Sequence, residues 1–96
     1  MAWVYILKCV DDTYYTGSTK DLDKRINEHQ SGMGANYTKE RLPIKLVYCQ
    51  EYKRIDEAFR REKQIQNWSR KKKEALINGG GKLNLKKATR ESNNKK

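Results

Sequence analysis

Apolar residues occupy both parities of residues 2–9: Ala2, Val4 and Ile6 fill one, and Trp3, Tyr5, Leu7 and Cys9 fill the other. With so many β-branched and aromatic side chains, the segment reads as a strand covered on both faces. Asp11-Asp12-Thr13 supplies a turn, and Tyr14-Tyr15-Thr16 reads as a second strand ended by Gly17, which closes a β-hairpin. In Ser18-Thr19-Lys20-Asp21 a hydroxyl precedes a carboxylate by three residues, a capping pattern that predicts a helix start. Leu22, Ile26 and His29 or Gln30 continue at helical spacing until Gly32 and Gly34 stop the run. Residues 35–43 read as a loop closed by Pro43, and residues 44–52 alternate well enough for a third strand. Ile55, Ala58, Phe59, Ile65 and Trp68 then define an amphipathic helix, and Ser69 caps a shorter one through Ile77 with Asn78-Gly79 as its stop.

Composition limits what this pattern can build. Ninety-six residues leave room for one core, which excludes separate catalytic and specificity domains within the chain. A mean hydropathy of −1.12 predicts that part of the chain stays unfolded. Charge shows where: residues 1–52 hold 7 Lys/Arg and 7 Asp/Glu, whereas residues 53–96 hold 15 and 5, so the whole net charge of +10 lies in the second half. The expected organisation is a folded domain over residues 1–78 and a basic disordered tail over 79–96. A basic half suits a polyanion, nucleic acid before an anionic membrane surface, with solubility alone as the plainest account. No apolar run approaches a membrane span, and no basic leader precedes the first strand, so a cytoplasmic location is expected. Cys9 and Cys49 are too few and too far apart for a zinc knuckle or a disulfide scaffold and read as buried small apolar residues.

Against this background a few residues carry candidate chemistry. Glu62 falls in the apolar stripe of the long helix, three residues from Phe59 and Ile65 and four from Ala58. A carboxylate there needs compensation, either an arginine such as Arg25 or a metal ion. Tyr5 and Tyr15 lie on opposite arms of the hairpin, as packing partners or as hydroxyls converging on one surface. Arg25 and His29 are four apart and so share a helix face, either as ordinary solvated and packed residues or as part of a site.

Taken in order, Val4-Tyr5-Ile6, Tyr15-Thr16-Gly17, Arg25, His29 and Glu62 resemble the GIY-YIG nuclease domain. Gly32-Met33-Gly34-Ala35-Asn36-Tyr37-Thr38 and Arg61-Glu62-Lys63-Gln64-Ile65 resemble motifs of its small single-domain bacterial branch. Val4 stands where the name-giving motif has glycine, and Thr16 where it has isoleucine. The resemblance covers residues 2–78 and implies an α/β (α+β) fold, a small three-stranded antiparallel sheet flanked by helices in the order β-β-α-β-α-α.

It also implies roles. Tyr5 would be the general base or would position the attacking water, Tyr15 would hold nucleophile or phosphate, and Arg25 would neutralise charge on the scissile phosphate. His29 would assist proton transfer, and Glu62 would ligate one divalent cation, Mg2+ or Mn2+. Tyr37 or Asn67 would line the site. From the charge pattern, Lys39, Arg60, Arg61, Lys63, Arg70, Lys71, Lys72 and Lys73, with Tyr37 and Asn67, are the candidates for contact with nucleic acid. The expected activity is metal-dependent endonucleolytic hydrolysis of DNA, on branched or flapped structures. The alternative is a noncatalytic basic module binding DNA or RNA on the same fold. Target choice would fall to the basic helices and tail, a protein partner or a homodimer.

Overall fold

The computed structural model describes residues 1–80. Strands β1 (Ala2–Lys8), β2 (Tyr14–Thr19) and β3 (Lys45–Tyr52) form one antiparallel sheet in the order β2-β1-β3. Helices α1 (Leu22–Gln30), α2 (Asn36–Lys39), α3 (Ile55–Gln66) and α4 (Arg70–Ala75) complete the fold. The expected order therefore holds, with the short α2 added where a plain loop was predicted.

Because side chains alternate across a strand, the two apolar sets of β1 feed two cores. Ala2, Val4 and Ile6 pack with Tyr48 of β3 and with Ala58 and Ile65 of α3. Tyr5, Leu7 and Cys9 pack with Leu22 of α1, Ile44 and Cys49. Both cysteines are buried, as expected. The central strand is thus covered on both faces, and among the described residues no strand pairs with the outer side of β2.

Three local expectations are corrected. Strand β2 does not end at Gly17 but runs to Thr19, pairing Tyr5 with Gly17 and Val4 with Ser18. Ser18 therefore belongs to the sheet and does not cap α1; the cap is Asp21, whose carboxylate accepts from Lys24 N at 3.2 Å, while Thr19 Oγ1 accepts from Asp21 N. Nor does Phe59 join the core: it is 51% exposed under the Lys63 ammonium. The stripe facing the sheet runs through Ile55, Ala58, Glu62 and Ile65 at helical spacing, and Phe59 flanks it.

Ser69 caps α4 as predicted, accepting from Lys72 N at 3.2 Å. The stop at Asn78-Gly79 is replaced by an end at Ala75 and a π-helical turn over Leu76–Gly80, where Leu76 and Ile77 pack against the α3-side core. Gly79 and Gly80 thus belong to this turn, and the rest of the expected tail lies outside the described residues.

Candidate active site

Tyr5 lies on the central strand, yet its hydroxyl works at the sheet edge. Its ring crosses Gly17, the cross-strand partner, so closely that a Cβ on that glycine would sit 2.4 Å from the Tyr5 oxygen. No side chain but hydrogen fits there. At the end of that path the hydroxyl meets His29 Nε2 at 2.9 Å, fully within the protein. His29 is held from the other side by Thr38, whose Oγ1 lies 2.8 Å from Nδ1. Gly34 makes the same kind of room as Gly17, since a Cβ there would sit 2.4 Å from His29 Nδ1.

Helix geometry supplies the histidine. Helix α1 starts at the Asp21 cap and ends where Gly32, at φ +83°, sends its N–H back to His29 O. Within these bounds Leu22 and His29 face the sheet, while Arg25 stays half-exposed and pairs with Glu28 at 3.1 Å. The Arg25–Glu62 pair weighed from the sequence is therefore not formed.

Glu62 reaches the same edge from the opposite side of the sheet. Its Oε1 accepts from Ser18 Oγ at 2.5 Å and its Oε2 from Gln66 Nε2 at 2.7 Å. Because α3 overhangs the edge strand, the carboxylate is only half-buried, not sealed in the apolar stripe. Ser18 and Gln66 supply the compensation that the sequence argument sought from an arginine or a metal. Among the described residues no group of three or more His, Cys, Asp or Glu could hold a metal ion. What Glu62 offers is one hard oxygen donor, each of its oxygens retaining a free lone pair. That suits a cation that keeps several waters and takes further oxygens from phosphate, as Mg2+ does.

Rings continue the site outward. Tyr15 sits 6.5 Å from Tyr5 and 5.3 Å from His29 by ring centroid, and Tyr37 stacks on Tyr15 at 6.1 Å. The Arg41 guanidinium covers Tyr37 at 3.9 Å and is anchored to Asp11 and to Tyr37 O. Beside Arg25 opens a cleft of about 360 Å³ lined by Ser18, Thr19, Lys20, Lys24 and Glu28 among others.

Electrostatics distinguishes these groups. Burial pushes the Tyr5 phenol well above its ordinary range, Tyr15 adds to this, and Arg25 pulls it back only in part. Tyr15 is raised by burial and by the Glu62 carboxylate, again with Arg25 opposing. Burial outweighs the arginine, so Arg25 does not make Tyr5 a standing base. His29 moves the other way: burial, then Arg25, lower its pKa, so the imidazole is neutral at pH 7.

The structure thus brings Tyr15, His29, Arg25 and Glu62 within electrostatic or hydrogen-bonding reach of Tyr5, with Tyr37 stacked on Tyr15. The basic residues of α3 and α4 form a separate surface. Arg61 and Lys72 flank Trp68 at 4.9 and 4.4 Å, and Arg60 and Lys71 are exposed. Lys39 is exposed on α2, and Lys73 is half-buried. Asn67, the C-terminal cap residue of α3, donates its side-chain amide to Lys63 O. Arg70 is engaged by Glu74, by Asp12 O and by the Tyr14 ring, which ties α4 to the hairpin turn.

Ser18, Thr38, Lys20 and Lys24 escaped the sequence argument as site residues. Thr38 carried a signal in the Gly32–Thr38 motif, but Ser18 was hidden by its resemblance to a helix cap.

Residues 1–75 match the family described as the GIY-YIG catalytic domain. The chain belongs to this family. Membership places it among nuclease domains, and the Tyr5, Gly17 and His29 geometry is built from the segments that carry the family motifs. A UPF0213 protein of Staphylococcus saprophyticus is 47% identical over 78 residues, covering 81% of this chain and 95% of the relative. A UPF0213 protein of Staphylococcus aureus is 47% identical over 75 residues, covering 78% and 92%. The solution NMR structure of a UPF0213 protein from Bacillus halodurans is 45% identical, covers 84% of this chain and 87% of its own, and superposes with a TM-score of 0.55.

Proposed function

We propose that this GIY-YIG domain is a divalent-metal-dependent endonuclease that hydrolyses DNA phosphodiester bonds, with branched or flapped DNA as the preferred form. The observation that carries the reading is the buried Tyr5–His29 hydrogen bond, which opens toward an edge shared with Glu62 and Arg25. With its pKa raised, Tyr5 cannot act as a standing base. It acts as a relay: once bound substrate admits the attacking water to the otherwise buried Tyr5 hydroxyl, the Tyr5 oxygen takes a proton from it as its own proton passes to the neutral His29 Nε2. Tyr15 orients the water or a phosphate oxygen, and Arg25 neutralises charge gathering on the phosphate. Glu62 would hold Mg2+ or Mn2+, which supplies charge stabilisation to the phosphate and acidity to water.

Substrate binding then rests on the basic surface. Arg60, Lys63 and Lys71–Lys73 contact the phosphate backbone without reading sequence, and Lys20 and Lys24, on the cleft beside Arg25, add a second basic face. Target choice comes from DNA shape, with a protein partner or a second copy of the chain as a further source.

The test is Glu62→Gln, assayed with Mg2+ or Mn2+ on duplex, flap, junction and single-stranded DNA and on RNA. Cleavage should fall by orders of magnitude, because an amide is a poorer ligand for a hard cation. Melting should change little, since Gln can still accept from Ser18. Undiminished cleavage by this variant overturns the metal-ligand assignment. Binding without cleavage by the unmodified protein on every substrate would instead identify a noncatalytic nucleic-acid module.

A further inference from the structure

We propose that Thr38 is a positioning residue whose hydroxyl sets the tautomer of His29, so that the imidazole presents an unprotonated Nε2 to the Tyr5 hydroxyl. Thr38 Oγ1 lies 2.8 Å from His29 Nδ1 and 3.0 Å from Ala35 O. A carbonyl only accepts. A hydroxyl that gives its single hydrogen to Ala35 O therefore offers a lone pair to Nδ1, which must carry the ring hydrogen. Nε2 is then the free acceptor for Tyr5 O–H at 2.9 Å.

In the opposite arrangement Thr38 would donate to Nδ1 and Nε2–H would donate to the Tyr5 oxygen. The Tyr5 hydrogen would then have no acceptor in the chain Tyr5–His29–Thr38–Ala35, and the relay would run backwards. Thr38 and His29 are 0% and 1% exposed, so bulk solvent does not replace either partner of the imidazole.

The local sequence is arranged for this contact. Thr38 is in the single turn of α2, where a threonine hydroxyl bonds the carbonyl three residues back. Gly34 leaves the ring its space. The consequence for catalysis rests on the nuclease reading, but the tautomer does not.

His29 is the only histidine in the chain, so its two ring nitrogens can be assigned by 15N NMR without ambiguity. The unmodified protein should show protonated Nδ1 and unprotonated Nε2 at neutral pH. Thr38→Ser should keep that pattern and most of the activity. Thr38→Val has the same shape without the hydroxyl; it should shift the ring toward the other tautomer or a mixture. Its kcat should fall at least about 100-fold with KM little changed, general acid–base steps being worth roughly 10²–10⁴.

An Nε2-protonated ring in the unmodified protein overturns the proposal, whether or not Thr38→Val folds. So does a Thr38→Val protein with unchanged tautomer and unchanged kcat. If the unmodified protein shows the expected tautomer but cleaves nothing, the nuclease reading fails and the assignment of Thr38 stands.

Discussion

On the α3 side of the sheet, Ala2, Val4 and Ile6 meet apolar partners, and the buried Tyr48 hydroxyl finds Gln50 at 2.6 Å. On the α1 side, at the intervening position of the same strand, Tyr5 meets a histidine, which in turn meets a threonine, through buried hydrogen bonds. One face is filled; the other is filled and wired. Since neighbouring positions of β1 serve both, the same strand that anchors the core also holds the Tyr5 oxygen in place. A relay needs such rigidity, because a small displacement of a reacting group costs rate steeply.

The faces should respond differently to substitution. The largest stability effect is expected at Ile65→Ala on the α3 side, which empties a fully buried site and should cost about 2–5 kcal/mol. Denaturant unfolding measures that cost, and the His29 15N pattern should stay unchanged in the folded variant. A changed pattern would show that the two faces are coupled.

Gly17→Ala comes next. The added methyl must displace the Tyr5 hydroxyl, with an overpacking cost of about 1–3 kcal/mol. Cleavage should fall far more than stability does. A variant that keeps both the Tyr5–His29 hydrogen bond and full cleavage would show that the close passage over Gly17 is not required.

The smallest effect is expected at Thr16, on the α3 side. Its buried Oγ1 has no hydrogen-bond partner. Thr16→Val removes that uncompensated hydroxyl at nearly constant shape, and stability should rise by about 1 kcal/mol. Isoleucine in the family motif at this position fits the same logic. A lower melting temperature for the valine variant would mean that the hydroxyl has a partner after all, and that the α3 side is less purely apolar than the packing suggests.

Local pattern determined much of this protein. The double alternation of β1 announced two cores, Ser69 announced a helix start, and the ordered Tyr5, Tyr15, Arg25, His29 and Glu62 announced one site. The first two were readable because they rest on short-range periodicity and capping, whereas the site was readable only through its resemblance to the GIY-YIG domain. Only tertiary structure could decide which partner satisfied each polar group. Glu62 turned out to be held by Ser18, 44 positions away in the chain, not by Arg25. Ser18 and Asp21 both had cap chemistry, and sheet pairing with Val4 removed Ser18 from the choice. The protonation of Tyr5 and His29 was settled in the same way. Burial raised one pKa and lowered the other, and burial depends on which segments pack together.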